Sequence, residues 1–335
     1  MTRTRRLIYS DVLRKLSAAA LLLPGACLGF LGPSSTGFTF MKIGVGARAV
    51  AMGGAFTAVA DDANALFWNP AGLALSSSLD AGVTVMKLLQ SVSYASAGLV
   101  APLGSRLGLG VAGGYLSASD TRRDEHGQEL GTFGLSDLAV GPGIGWQPAR
   151  GVGVGLAGRY VAGTIDSFRA YALSLDGGII YRPVSYFTVG ASLLHLGPPR
   201  RFIADWEYPP VNLRSGVALT IPFAENHFLV SSDLSLYPDL VPTLSLGGEI
   251  YLRLHGSQAS GGEQTEQGLA VRAGYESGFH LGSWSGFSVG IGYDYAIASG
   301  LSLGLDVVYL SYGLLGDSER ASFSLKLVPR SRSHR

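Results

Sequence analysis

Two glycine-rich stretches of the chain have the spacing of a nucleotide-binding loop. The pattern Gly-x-Gly-x-x-Gly occurs at Gly108, Gly110 and Gly113, and again at 153–158. In a dinucleotide fold this pattern opens a helix whose first turn holds a pyrophosphate. Here both stretches lie where apolar and polar residues alternate, and no helical pattern follows. We therefore expect these glycines to allow close backbone approach within strands, not nucleotide binding.

Residues suited to metal or nucleophilic chemistry are few and scattered. The chain has six histidines, at positions 126, 195, 227, 255, 280 and 334. Their spacing is not that of metal ligands, and the sequence GSWSG at 282–286 lacks a serine at the centre of a nucleophile elbow. Spacing does not exclude a Ser-His pair assembled across strands, but no motif marks one. The sequence predicts no enzyme activity, no cofactor and no metal.

The composition is that of a membrane protein without spanning helices. Of 335 residues 15% are charged and 47% are apolar, 48 are glycine, and the mean hydropathy is +0.28. Beyond the N-terminus no window offers the ~20 consecutive apolar residues that a spanning helix needs. A closed β-barrel satisfies its backbone groups in lipid with apolar residues at alternating positions. We therefore predict an all-β membrane protein, a closed antiparallel barrel in the bacterial outer membrane.

From residue 79 onward the chain alternates in segments of about ten residues. In 171–182, apolar residues with a tyrosine at each end share one face, as in an aromatic girdle. Counting such segments predicts fourteen strands: 79–90, 92–101, 106–118, 135–147, 152–164, 171–182, 186–195, 211–221, 227–237, 243–254, 267–277, 286–295, 301–312 and 319–328. Most connectors after even strands are short, whereas 119–134 and 196–210 are long external loops. The connector 255–266 is long where a short periplasmic turn is expected.

The opposite faces of these strands collect charges of both signs. A charge that faces lipid at mid-bilayer costs ~2–4 kcal/mol, so these faces are predicted to line the lumen. The inward charges are Arg159, Asp176, Arg182, Arg214, Asp233, Glu249, Arg253, Arg272, Glu276, Asp294, Asp306 and Lys326. The alternative is a soluble β-sandwich or barrel with a glycine-rich core, but its outward leucines and tyrosines would aggregate.

The two ends of the chain lie outside the predicted barrel, 79–328. Residues 1–30 read as a signal peptide, with basic residues, an apolar run and then small residues. Cys27 is the only cysteine, and whether it is removed, inert or lipid-modified stays open. The tail 329–335 is basic and lacks the interleaved aromatics of a nucleic-acid platform, so no nucleic-acid partner is expected.

Residues 31–78 break the strand rhythm and predict a partly helical hatch inside the lumen. Small residues suit tight packing in a confined space. Asp61 or Asp62 is expected to cap a short helix over 63–68 while the other aspartate faces a wall arginine, or both to form a solvated turn. Arg48 is expected to pair within the hatch or with a wall acid. Phe67 and Trp68 either line a ligand pocket or wedge the hatch against the wall.

The stretch GARAVAMGGAFTAVADDANALFWNPAGLA, residues 46–74, closely resembles the N-terminal signature of the PorV/PorQ family, a branch of the FadL-like outer-membrane transport barrels. The resemblance implies a fourteen-stranded barrel plugged by a hatch with an Asn-Pro-Ala motif, which falls on Asn69, Pro70 and Ala71. It also implies that a hydrophobic ligand enters at the outer loops and leaves sideways through a gap in the wall. PorV-like members instead receive exported proteins at the outer membrane.

One predicted strand contains a candidate for such a gap. Residues 138–146 include Gly141, Pro142 and Gly143, and proline cannot donate to the sheet ladder. The sequence predicts a local break in strand pairing near Pro142, either a lateral gate or an ordinary bulge.

Two functions follow as hypotheses. The first is a passive conduit for hydrophobic, fatty-acid-like small molecules, with Phe202, Ile203, Trp206 and Tyr208 of the loop 196–210 as a landing surface. Phe202 and Trp206 then join Phe67 and Trp68 as candidate ligand-lining residues. The alternative is an outer-membrane partner for secreted proteins or secretion machinery. A purely structural barrel is a third possibility.

Overall fold

The computed structural model describes residues 36–88, 92–202, 205–258, 264–279, 281–298 and 300–328. The predicted signal peptide, Cys27, Ile203 and the basic tail lie outside these residues. Among the described residues, no helix is long and apolar enough to cross a membrane.

Alternating sequence produces long antiparallel strands. Their bounds are β1 Leu79–Lys87, β2 Ser93–Leu103, β3 Leu107–Arg123, β4 Glu129–Ala149, β5 Val152–Ile165, β6 Phe168–Val184, β7 Phe187–Leu196, β8 Arg200–Phe202, β9 Asp205–Glu207, β10 Asn212–Phe223, β11 Asn226–Leu236, β12 Thr243–Gln258, β13 Gln264–Glu276, β14 Phe287–Ala298, β15 Leu301–Ser311 and β16 Asp317–Leu327. Fourteen of them close into one barrel in which each strand pairs with the next, β7 being followed by β10. The barrel closes where β1 pairs with β16, Leu79 opposite Leu327. The predicted strand count is confirmed.

The two ends of the barrel differ in their connectors. At one end, which we call the turn end, 104–106, 150–151, 185–186 and 224–225 join β2–β3, β4–β5, β6–β7 and β10–β11. Leu79 at the start of β1 and Leu327 at the end of β16 also lie there. The other end, the loop end, carries longer connections such as 197–211 and 277–286. The short β8–β9 hairpin belongs to the first of these and stands apart from the barrel sheet.

Two expected loops are shorter than the sequence predicted. Residues 119–134 were expected to form a loop, but strand pairing continues from Ser119 opposite Gly134 to Arg122 opposite Gly131. The polar alternation there extends the β3–β4 hairpin instead of ending it. Likewise 255–266 was expected to be a long flexible connector, but β12 and β13 pair as far as Gln258 and Gln264. Only 259–263, outside the described residues, remain between these strands.

The exterior of the barrel is apolar. Leucine, valine, isoleucine and aromatic side chains are exposed along nearly every barrel strand. On β6, Tyr171 and Tyr181 mark the two ends of an exposed stripe, and Tyr160 of β5 stacks on Tyr171 at a centroid distance of 6.0 Å. Such a surface is stable against hydrocarbon and would aggregate in water. The protein is therefore a barrel of the bacterial outer membrane.

Residues 36–78, which we call the inner segment, lie within the barrel. They form a 3-10 helix at Thr39–Lys42, α1 at Ala47–Ala51, α2 at Ala65–Trp68 and a 3-10 helix at Pro70–Leu75. Helix α2 ends at Trp68 because Pro70 forces Asn69 into an extended conformation. Almost every side chain from residue 45 to residue 74 is buried.

Wall glycines allow the inner segment to approach the strands closely. A Cβ at Gly108 would overlap the Leu73 carbonyl, one at Gly155 would overlap Pro70, and one at Gly274 would overlap Gly53. These glycines lie on β3, β5 and β13, on different sides of the lumen. As predicted, the Gly-x-Gly-x-x-Gly stretches at 108–113 and 153–158 lie in strands, where Gly108 and Gly155 make room for a neighbouring backbone.

Candidate ligand-binding site

A buried aspartate of the wall holds the inner segment at its centre. Asp233 on β11 accepts hydrogen bonds from the backbone N–H groups of Phe56 and Thr57 at 3.1 and 2.8 Å. Arg214 on β10 lies 3.0 Å from the same carboxylate and donates from Nε to the Thr57 hydroxyl, also at 3.0 Å. Both wall residues are buried, so the pair is shielded from water and each charge depends on the other.

Arg48 joins the inner segment to the neighbouring part of the wall, where β12 pairs with β11. It contacts Asp61 of the segment at 2.6 Å and Glu249 of β12 at 2.9 Å, so it makes both kinds of contact that the sequence offered. Arg272 of β13 also contacts Glu249, at 2.6 Å, and Asp306 of β15 at 2.5 Å. Burial alone would lower the pKa of Arg48, but Asp61 and Glu249 outweigh it and raise the pKa above its ordinary value.

The two aspartates differ from their predicted roles. Asp61 pairs with Arg48 of the inner segment, not with an arginine of the wall. Asp62 accepts from the backbone N–H of Asn64 at 2.8 Å, and neither aspartate caps helix α2, whose N-cap is Asn64. The helix begins at Ala65, two residues later than predicted, so the aspartates are too early to reach its first turn. Burial raises the pKa of Asp62, and nearby Arg48 offsets part of that rise.

The Asn-Pro-Ala stretch is fastened to strands β6 and β7. The Asn69 amide donates to the carbonyls of Thr57, Ile179 and Ala191 at 2.9, 3.2 and 3.4 Å. Its side-chain oxygen accepts from the Ala71 backbone N–H at 3.0 Å. Pro70 is buried at the first position of its 3-10 helix, and Ala71 is buried beside it. Asn69 therefore connects the inner segment to β6 and β7, two wall strands whose pairing with each other shifts register at two places.

Trp68 and Phe67 face the loop end of the lumen, and each also packs against a wall arginine. Trp68 donates from Nε1 to the Val45 carbonyl at 2.9 Å, and the Arg214 guanidinium lies 4.8 Å from its ring centroid. Phe67 lies 5.1 Å from the guanidinium of Arg159, which pairs with Asp176 at 2.5 Å. Both aromatic residues also line a small cavity of about 60 Å³, so the contact with the wall is observed and the ligand-lining role stays a prediction.

A larger cavity opens between the inner segment and the loop end, and we call it the loop-end cavity. Its volume is about 380 Å³. Its apolar lining consists mainly of Ile43, Val50, Trp68, Tyr237, Leu240, Val241, Phe279, Leu310 and Tyr312. Phe279 and Tyr312 meet edge to face at 5.3 Å, and burial raises the pKa of Tyr237 to about 12. The tyrosine thus stays neutral at physiological pH.

Arg320 and Glu276 are the charged groups of this cavity without a counter-ion among the described residues. Arg320 is only 1% exposed. It donates to the Gly44 carbonyl and to the Tyr312 hydroxyl, the latter at 2.9 Å, while its Nε has no partner. Lys42, the third charged group here, is paired with Asp239 at 2.7 Å. Sequence analysis missed Arg320, although it lies on the same face of its strand as the predicted Lys326.

The loop end also anchors the start of the described chain. Asp239, in the connection between β11 and β12, accepts from Thr36 at 2.7 Å and from Lys42 at 2.9 and 2.7 Å. Burial would raise the pKa of Asp239, but the hydrogen bonds from Lys42 and Thr36 outweigh it and hold the pKa below its ordinary value. A backbone bridge joins Thr36 to Tyr208.

The predicted landing surface on 196–210 lies apart from the loop-end cavity. Trp206 is exposed on the β8–β9 hairpin and does not line the cavity, and the side chain of Phe202 lies outside the described residues. Exposed apolar residues occur instead beside the cavity lining, on the loops that contain Phe279 and Tyr312: Trp284, Leu314 and Leu315. The two loops touch where Leu314 donates its N–H to the Leu281 carbonyl at 2.8 Å.

In the wall stretch Gly141–Pro142–Gly143, Gly141 and Pro142 are paired on one side only. With β3 the pairing is continuous, and Pro142 lies opposite Val111. With β5 the pairing stops at Val140 opposite Tyr160 and resumes at Gly143 opposite Ala157. A Cβ at Gly141 would overlap the Gly158 carbonyl, so the unpaired strands still touch. Arg159 follows Gly158 here and also donates to the Leu66 carbonyl of the inner segment.

A second large cavity lies between the inner segment and the turn end, and we call it the turn-end cavity. Its volume is about 370 Å³ and its lining is mostly polar. Arg48, Asp61 and Asp62 of the inner segment face Asp80 of β1 and Lys326 of β16 across it. Six of the twelve predicted inward charges line this cavity: Glu249, Arg253, Arg272, Asp294, Asp306 and Lys326.

Comparison with known proteins supports the fold. No protein-family model matches the chain, and no curated protein matches it. The toluene transporter TodX of Pseudomonas putida aligns with a TM-score of 0.54 and 13% identity over 89% of this chain and 98% of its own. A TodX deletion mutant, described as a monoaromatic hydrocarbon channel, aligns with a TM-score of 0.57 and 13% identity over 85% of this chain and 99% of its own. The toluene transporter TbuX of Ralstonia pickettii aligns with a TM-score of 0.56 and 14% identity over 85% of this chain and 98% of its own.

These similarities establish the architecture and leave the PorV/PorQ resemblance of residues 46–74 as a prediction from sequence. The chain is a fourteen-stranded outer-membrane barrel with the fold of the hydrocarbon transporters TodX and TbuX.

Proposed function

We propose that this barrel binds hydrophobic small molecules with an anionic head, such as fatty acids, and conducts them passively across the outer membrane. The observation that carries the proposal is the loop-end cavity, an apolar and aromatic chamber that contains a buried arginine without an ion-pair partner among the described residues. Barrels of even strand count have short periplasmic turns and longer external loops. The loop end then faces the cell exterior, and the cavity is reached from outside. TodX and TbuX, which share the fold, are toluene transporters.

The charge of Arg320 favours an anionic ligand over a purely hydrocarbon one. A buried cation that contacts only neutral groups is costly, and an incoming carboxylate would offset that cost. The unpartnered Nε and the nearby Tyr312 hydroxyl supply donors for such a head group. The aromatic and aliphatic lining would bury the tail, as in other small-molecule sites.

Glu276 would disfavour binding of the same anionic ligand. It lines the loop-end cavity and the small cavity beside it, and no described residue forms an ion pair with it. A carboxylate ligand near Arg320 would feel its repulsion. The two residues therefore set the ligand preference in opposite directions.

Calorimetric binding of decanoate and decanol to the detergent-solubilised protein tests this assignment. We expect Arg320→Met to weaken decanoate binding by roughly 10- to 100-fold, since hydrogen bonds to charged groups are worth ~1.5–3 kcal/mol, and to leave decanol binding nearly unchanged. Arg320→Lys should retain part of the preference, and Glu276→Gln should strengthen decanoate binding. Arg122→Met, an exposed change at the loop end, is the matched control. Equal loss of both ligands in Arg320→Met would refute a head-group role.

The inner segment is proposed as a plug that ligands must pass or displace, with release sideways into the membrane near Pro142. Support comes from the interrupted β4–β5 pairing and from Arg159, which connects that position to Leu66 and Phe67 of the plug. Pro142→Val supplies the missing backbone donor and should slow decanoate uptake in cells, whereas Pro102→Val on β2 should not. Gly141→Val is a poorer test because its side chain would overlap Gly158. Unchanged uptake in Pro142→Val would remove the lateral route.

The secretion-partner alternative rests on the sequence signature at 46–74 alone. Co-purification of an exported protein with this barrel from separated membranes would favour it, whereas a bound lipid in the purified protein would favour the transport proposal.

A further inference from the structure

The turn-end cavity is separate from the loop-end cavity and has a different chemistry. Six carboxylates line it: Asp61, Asp62, Asp80, Glu249, Asp294 and Asp306. The permanently cationic residues of its lining are Arg48, Arg253, Arg272 and Lys326. The lining thus contains two more carboxylate side chains than arginine and lysine side chains. The inner segment lies between this space and the loop-end cavity.

The cations and anions of this lining are unevenly matched. Arg48 and Arg272 are held by Glu249, Asp61 and Asp306 at 2.5–2.9 Å. This network therefore already contains three carboxylates for two arginines. Its arginines are in place and are not available to the remaining acids.

Asp80 provides a second observation, independent of the number of acids. It is only 2% exposed, yet neither of its carboxylate oxygens has a hydrogen-bond partner. The nearest cation is Lys326, whose Nζ lies 3.7 Å away and whose side chain is 36% exposed. Across the cavity, Asp62 is held by one backbone N–H group. Two carboxylates thus face the same space with unused acceptor capacity, which is costly for a buried group.

We propose that the turn-end cavity binds a small linear organic cation, an alkyl diammonium such as 1,4-diaminobutane. One ammonium is bound by Asp80 and the other by the Asp62 side of the cavity. This site does not depend on the proposed transport of hydrophobic ligands.

The shape of the site favours an extended cation over a metal ion. Among the described residues, no group of three or more His, Cys, Asp or Glu side chains is arranged to hold a metal. A cavity of about 370 Å³ is far larger than a coordination sphere and is large enough for a short chain with a charge at each end. A diammonium ion also has donors at both ends, so it can contact one carboxylate of the wall and one of the inner segment.

Titration calorimetry at pH 7 and low salt tests the proposal on the full detergent-solubilised chain. We expect 1,4-diaminobutane to bind and the neutral isostere 1,4-butanediol not to bind. Asp80→Asn and Asp62→Asn should each weaken binding of the diamine by at least about tenfold, since each removes a charge-assisted contact. Asp120→Asn, an exposed aspartate near the loop end, is the matched control and should bind as the parent does.

Three results would overturn the assignment. The first is equal affinity for diamine and diol, and the second is unchanged diamine affinity in both aspartate variants. The third is complete displacement of the diamine by millimolar Ca²⁺ with tighter binding of the metal, which would indicate an inorganic cation site. Decanoate binding, measured on the same samples, reports separately on the loop-end cavity and on folding. Loss of diamine binding with retained decanoate binding would therefore localise the effect to the turn end.

Discussion

The two large cavities of this barrel have similar volumes, about 380 and 370 Å³, but opposite chemistry. The loop-end cavity is lined by aromatic and aliphatic residues and contains Arg320, which forms no ion pair with a described residue. The turn-end cavity is lined by an ion network and contains Asp80, whose oxygens accept no hydrogen bond from a described residue. The inner segment separates them. One polypeptide segment thus gives a single lumen two environments, because its apolar residues and Lys42 face one end whereas Arg48, Asp61 and Asp62 face the other.

The inner segment is held between the two cavities by its contacts with the wall. Its contacts with the wall include polar ones at Asp233, Asn69 and Arg48, together with close backbone packing against wall glycines. If these contacts keep the two cavities apart, weakening them should destabilise the protein and connect the two spaces. The predictions below are ordered by expected effect.

The largest effect is expected for Asp233→Ala. It leaves the buried Arg214 and the Phe56 and Thr57 N–H groups without their acceptor, and breaking a buried pair costs ~3–5 kcal/mol. The thermal unfolding midpoint of the detergent-solubilised protein should fall clearly. Arg123→Ala removes an exposed ion pair with Glu129 and should change little. An Asp233→Ala variant that melts like the parent would show that the pair does not hold the segment.

A smaller effect is expected for Gly155→Ala. The added Cβ overlaps Pro70, so the inner segment must shift, and overpacking of this kind costs ~1–3 kcal/mol. Thermal melting and protease sensitivity of the inner segment measure it. Gly134→Ala is the control, because its Cβ would meet nothing within 4 Å. If both alanine variants behave alike, close packing of wall and segment does not contribute to stability.

The loop-end anchor gives a pH-dependent effect of about 1 kcal/mol, the usual worth of one hydrogen-bonded pair. Because the pKa of Asp239 is lowered in the folded protein, its contribution is present above its ordinary pKa of about 4 and is lost as pH falls further. Asp239→Asn should therefore lower the unfolding midpoint at pH 7, and this difference should shrink as pH falls below about 4 toward the lowered pKa. A difference that persists in acid would exclude the ionised pair as its source.

Asp62 at the turn end should have the opposite pH dependence to Asp239, and its effect on the unfolding midpoint should be the smallest. The pKa of Asp62 is raised, so its ionised form costs stability as pH rises above its ordinary pKa. Asp62→Asn keeps an oxygen for the Asn64 N–H and should raise the unfolding midpoint slightly at pH 7. Below about pH 4 the two proteins should melt together. A lower midpoint at pH 7 would mean that the Asp62 charge is stabilising.

Much of the wall was readable from the sequence. Period-two alternation gave the fourteen strands, because side chains on a strand point alternately to lipid and lumen. It also identified the inward charges and the irregular position at Pro142. Strand ends were less accurate: 119–134 and 255–266 pair further than expected, because polar hairpins can extend beyond the apolar band that defined the pattern.

The contacts of the site came only from the tertiary structure. The sequence marked Arg48, Asp61, Asp62 and the Asn-Pro-Ala stretch but not their partners, since Glu249 lies 201 residues from Arg48 and Asp233 lies 177 from Phe56. It could not show that Arg320 lacks an ion-pair partner or that the Asp80 oxygens lack hydrogen-bond donors among the described residues, because that depends on what the folded chain places around them. Alternation along a strand fixes which way a side chain points, whereas barrel closure and the path of the inner segment decide what it meets.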